Sequence, residues 1–75
     1  MTMTKHQLDN TVRDIIKTHY FNINDRRERY LILQELRHQL PSLMISVQSF
    51  GDNMTIDIPT FYWEVSTKGI KFDDV

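Results

Sequence analysis

"MTIDIPTFYWEVS", residues 54–66, holds two runs in which apolar and polar residues alternate. Met54, Ile56 and Ile58 alternate with Thr55 and Asp57. After Pro59 and Thr60, Phe61, Trp63 and Val65 alternate with Tyr62, Glu64 and Ser66. Successive side chains of a strand point to opposite faces, so a period of two describes two strands with one apolar and one polar face. Strands of parallel sheets covered on both sides read as continuous apolar runs, which these are not. The sheet is therefore antiparallel and half-buried. Of the three adjacent rings, Phe61 and Trp63 belong inside and Tyr62 outside.

The same period extends in both directions. Leu43, Ile45 and Val47 alternate with Met44, Ser46 and Gln48, and "GDN" at 51–53 supplies a hairpin turn. On the other side "TKG" at 67–69 turns the chain, and Ile70 and Phe72 complete a short last strand before an acidic tail. Strands are expected over about 43–50, 54–58, 61–66 and 70–73.

Before residue 42 the period is that of a helix. "TKHQ" at 4–7 has the form of a capping box with Thr4 as N-cap. Leu8, Val12, Ile15 and Ile16 then form one stripe, continued toward Tyr20. "DRRE" at 25–28 is a second cap signature, with Asp25 as N-cap and Glu28 three residues later. Ile32, Leu33, Leu36 and Leu40 are the stripe of the second helix, Phe21 or Ile23 is placed to staple its start, and Pro41 ends it. Helices are expected over about 5–20 and 25–40. The chain reads as one α+β domain, ααββββ, with two N-terminal helices on one face of a four-stranded antiparallel meander.

Seventy-five residues make one small domain. Such a domain buries only about 60% of its unfolded surface, and many gain stability from disulfides, metals or a partner subunit. The chain has no cysteine, which excludes disulfides, thiolate zinc sites and cysteine nucleophiles. Monomer and homo-oligomer are equally open. No apolar run approaches the ~18 residues of a membrane span, and "MTMTKHQLDN" lacks the apolar core of a signal peptide. The expectation is a soluble, cytoplasmic protein that does not enter a membrane.

The net charge of −1 is unevenly distributed. Residues 1–40 carry seven Lys/Arg against five Asp/Glu (+2), and residues 41–75 carry two against five (−3). A general nucleic-acid binder has a clear basic excess, because phosphate contacts dominate its affinity. This chain has none.

Phosphate-binding glycine loops, nucleophile elbows, HExxH and EF-hand patterns are absent. His6, His19 and His38 are scattered, and His6 with Asp9 falls short of the three or four ligands of a metal site. Neither metal nor cofactor is expected. Asp57 and Glu64 are a carboxylate pair that neighbouring strands could bring face to face, but acid–base work also needs a pocket. A short meander under two helices offers little room for one of ~300 Å3. The chain is read as a non-enzyme.

Two surfaces remain as candidate contacts. The outer sheet face presents Tyr62 and Met44, and helix two presents Tyr30 and Leu31 beside its apolar stripe. Tyrosine, methionine and arginine are enriched in protein interfaces. Arg26, Arg27, Arg29 and Arg37 of the same helix suit an acidic protein surface or phosphates. With no proline inside the strands, the open sheet edges offer pairing to a copy or a partner strand. The expected function is a small protein-binding regulator or inhibitor, of the kind phages and mobile elements encode, docking a macromolecular partner. The alternative is a nucleic-acid-associated regulator using the basic face of helix two.

Overall fold

The structure is a computed structural model that describes residues 3–20 and 23–74, with no side-chain detail at Asp74. Within it the chain runs α1 (Lys5–His19), α2 (Arg26–Gln39), β1 (Ser46–Phe50), β2 (Asn53–Ile58), β3 (Phe61–Ser66) and β4 (Gly69–Asp74). The strands form one antiparallel sheet in the order β1-β2-β3-β4. This is the ααββββ arrangement that the alternation implies.

Helix α1 begins as its sequence dictates. The Gln7 amide donates to Thr4 Oγ1 at 3.1 Å, and the Thr4 amide donates to Gln7 Oε1 at 3.0 Å, which completes the capping box. Leu8, Val12, Ile15 and Ile16 are its buried stripe. Helix α2 is capped differently from the expected reciprocal box. Asp25 accepts from the Arg27 amide at 2.8 Å, whereas Glu28 turns away to meet His19 of α1 at 2.5 Å. Leu40 ends the helix, its amide donating to Leu36 O at 2.8 Å. Ile23 is buried ahead of α2; Phe21 lies outside the described residues.

The register sorts the sheet into two faces. Val47, Ile56, Trp63 and Phe72 stand in one row facing the helices, with Met54, Val65 and Ile70 in the next. Trp63 and Phe72 stack at 4.9 Å between ring centroids, and Phe61 lies 5.7 Å from Phe72. Outward rows are Ser46–Asp57–Tyr62–Asp73 and Gln48–Thr55–Glu64–Lys71. One continuous core joins the helix stripes to Met54, Ile56, Ile58, Trp63 and Val65.

Strand β1 begins at Ser46, three residues later than expected. In this register the partners of Ile45 and Met44 would be Ile58 and Pro59. Proline has no amide to donate and Pro59 already belongs to the turn, so the ladder stops. The two-residue turn Pro59–Thr60 sets Thr60 at φ +73°. That conformation is unusual for a β-branched residue. Gly51, at φ +57°, opens the two-residue β1–β2 turn, where glycine at the first position is the favoured choice.

Polar contacts fix which helix lies over which strands. Trp63 Nε1 donates to Asp9 Oδ1 at 2.9 Å, an oxygen that also accepts from Arg13 Nε at 2.8 Å. Tyr20 donates to Ser66 O at 2.7 Å, and the Lys5 ammonium stands 5.6 Å from the centre of the Phe72 ring. Helix α1 is thus tied to β3 and β4. Helix α2 is tied to the β1–β2 turn by Arg29, whose Nη2 donates to Gly51 O at 2.9 Å.

Candidate functional site

The four arginines of α2 do different things. Arg29 is buried (8% exposed), and its Nε donates to Ile23 O at 2.6 Å while Nη2 reaches Gly51 O. Its guanidinium closes the α1–α2 link against the β1–β2 turn, so it is withdrawn from the expected contact group. Arg26, Arg27 and Arg37 are exposed and form no ion pair among the described residues. Successive helix residues are about 100° apart, which parts Arg27 from Arg26 and Arg37.

One flank of α2 faces α1. Glu28 meets His19 there, and Glu35 and Gln39 share a concavity with Thr11, Ile15 and His19. The opposite flank, spaced by four, three and four, carries Arg26, Tyr30, Leu33 and Arg37. Because α1 is tied to β3 and β4 and α2 to the β1–β2 turn, the flank of α2 turned away from α1 lies on the β1 side of the sheet. Tyr30 is 60% exposed on that flank and Leu33 half-buried. Leu31 is exposed on the other shoulder with Arg27 and His38.

The expected contact residues therefore do not form one surface. Tyr62 is half-buried on the outer face, between Asp57 and Asp73 in its row. Partial burial and the nearby carboxylates of Glu64, Asp57 and Asp73 raise its phenol pKa above the ordinary tyrosine value. Tyr30 and Leu31 belong to the helix layer, across the sheet from it. Met44 is 82% exposed, ahead of β1. It lines a concavity with Ile45, Ile58, Pro59, Thr60 and Phe61.

The carboxylate pair also separates. Asp57 stands opposite Tyr62, and Glu64 opposite Thr55 on one side and Lys71 on the other. Room for a cleft is larger than expected: a solvent-open concavity of about 480 Å3 is lined by Asp52, Glu64, Ser66, Lys68 and Lys71. It lies by the β3–β4 turn, and its acids are interleaved with lysines. Asp9, the would-be partner of His6 on a metal, is occupied by Trp63 and Arg13. Among the described residues no group of three His, Asp or Glu is placed to hold a metal, and no helix is long and apolar enough to cross a membrane.

The two sheet edges differ in kind. Strand β4 carries Lys71 and Asp73, and charges on an edge discourage pairing. Strand β1 reads SVQSF, exposed at every position but half-buried Val47. It lies in an uncharged run from Gln39 to Gly51, thirteen residues in a chain that is 25% charged. Phe50, 60% exposed at its end, points to the outer face while Tyr30 and Leu33 stand on the helix side. Phe50 is the residue that period-two reading overlooks. The uncharged run was its signal, since alternation alone assigns Phe50 only a parity.

Compared with protein-family models, with curated proteins and with solved structures, the chain matches none.

Proposed function

We propose that this chain is a small, non-enzymatic protein-binding regulator or inhibitor, and that its contact surface is the β1 edge with the adjoining flank of α2. The observation that supports this best is the unguarded edge: an uncharged strand, open on its hydrogen-bonding side, with Phe50 exposed on its outer face and Tyr30 of α2 exposed on the helix side. Unpaired strand edges are templates for another chain, and proteins normally blunt them, as β4 does here with charge. Tyrosine, phenylalanine and arginine at the rim fit the composition of interface cores and their surrounds. On this reading the protein acts in the cytoplasm, where a chain without cysteines loses nothing by the absence of disulfides.

The test is capture of a binding partner from the native host, with Tyr30→Ala, Phe50→Ala and Tyr62→Ala variants side by side. Loss of the same protein with Tyr30→Ala and Phe50→Ala, but not with Tyr62→Ala, supports the reading. Loss with Tyr62→Ala alone moves the site to the outer face.

A second reading, association with nucleic acid, draws on the exposed Arg26, Arg27 and Arg37. Binding by that route is abolished by nuclease and falls steeply as salt rises. With Arg29 consumed by the fold and Arg27 on a different flank from Arg26 and Arg37, the basic surface is smaller than four arginines suggest.

A further inference from the structure

The β1 edge has a chemical character that narrows what can occupy it. The helix flank above the edge holds Arg26 and Arg37 at its ends, with Tyr30 and Leu33 between them, and no acidic residue. Eleven helical steps separate the two arginines, about 16 Å at the helical rise. From Ser46 to Phe50, β1 spans about 13 Å. Arg29 ties the start of α2 to Gly51, just past the end of β1, and residues 40–45 lead from the end of α2 back to the start of β1, so the two arginines lie toward opposite ends of the open strand.

We infer that the β1 edge accepts an extended segment of another protein as a fifth strand, and that this segment carries carboxylates at both ends of an apolar stretch on its helix-facing side. This rests on the protein-binding reading above. Main-chain hydrogen bonds to β1 supply the register, as in other strand-addition complexes. The apolar side chains cover Tyr30 and Leu33, and the carboxylates meet the two guanidinium groups, which recognise them in bidentate fashion.

Charge also disfavours the simplest competitor, a second copy of the chain. Antiparallel pairing of β1 with its copy about a two-fold axis sets α2 beside its copy, running the opposite way. Arg26 then approaches Arg37 of the other copy twice over, with no carboxylate on either flank. An acidic segment turns that repulsion into attraction.

The test uses two synthetic peptides with blocked ends, alternating threonine and valine. One carries a glutamate toward each end on the valine side; its twin carries lysines there. Each is titrated into the isotope-labelled protein while backbone amide shifts are followed. The glutamate peptide is expected to shift residues 46–50 and the Arg26–Arg37 flank, and to bind about tenfold more tightly than its twin, the effect of two surface ion pairs. Arg26→Glu combined with Arg37→Glu reverses the preference without touching the core. Methylation of alternate peptide nitrogens abolishes binding by removing the main-chain donors.

Equal affinity for both peptides, no shifts with either, or shifts centred on Tyr62 overturn the inference. Shifts in β1 that grow with protein concentration alone also overturn it, in favour of the second copy. If the peptides fail while a native partner still depends on Tyr30 and Phe50, the inference falls and the protein-binding reading stands. If that dependence fails too, both fall.

Discussion

Arg29→Met separates a structural arginine from a contact arginine. Methionine keeps most of the aliphatic stem that packs in the core but deletes the guanidinium bonded to Ile23 O and Gly51 O. Ile23 is buried, so its carbonyl loses a partner that water cannot readily replace, at about 1–3 kcal/mol. Gly51 is exposed, so its carbonyl rehydrates and the loss there is nearer the net value of an ordinary hydrogen bond, about 0.5–1.5 kcal/mol. Relief from burying a cation offsets part of this. The expected loss is about 2–3 kcal/mol. For a domain of this size the urea slope is about 1 kcal/mol per molar, so the midpoint should fall by about 2–3 M. Arg29→Lys retains a cation but not the two-pronged fork, and should fall between wild type and methionine. A methionine midpoint within about 0.3 M of wild type at unchanged slope would refute the reasoning. So would partner binding lost by Arg29→Met with stability intact.

Other consequences follow from single contacts. Asp9→Ala strands the buried Trp63 indole N–H and should cost about 2 kcal/mol; Asp9→Asn keeps an acceptor and should cost clearly less, both read by urea melts with tryptophan fluorescence. Thr60→Gly removes the penalty of a β-branched residue at φ +73° and should raise stability by about 0.5–1 kcal/mol despite glycine's entropy, seen as a higher midpoint in thermal unfolding. Tyr62 has a folded-state pKa above its unfolded value. Its contribution is fully present below pH about 10 and is lost as pH rises through the folded value. Tyr62→Phe should therefore flatten part of the alkaline loss of stability relative to wild type, checked by urea midpoints on both sides of that pH.

The fold was largely legible because local signals and tertiary packing agree in this chain. Periods of two and of 3.6, the Thr4 capping box and the turn at Gly51 each require what the packed core also requires. Features set by long-range geometry were not legible. Arg29 reads as one arginine in a basic cluster, and only the meeting of α2 with the β1–β2 turn makes it a buried tie. Glu28 reads as a capping-box partner, and only the position of His19 draws it away. Asp57 and Glu64 read as a facing pair until the register sets Asp57 opposite Tyr62 and Glu64 opposite Thr55, leaving the two carboxylates diagonal on the outer face. The candidate site depends on strand order, because β1 is an edge only once the meander is known to run β1-β2-β3-β4. Tyr30 reads as a residue beside the apolar stripe of α2, but its place with Phe50 at one edge is a property of the packed layers.

The claim that β1 is the docking edge is tested most directly by amide hydrogen exchange, with and without the glutamate peptide. Edge amides that face solvent exchange fast unless a neighbouring strand takes them up. Slowed exchange is predicted at residues 46–50, with β4 (Gly69–Asp74) unchanged. Slowing at β4, slowing spread over the Tyr62 face, or no change at β1 under saturating peptide would contradict the account.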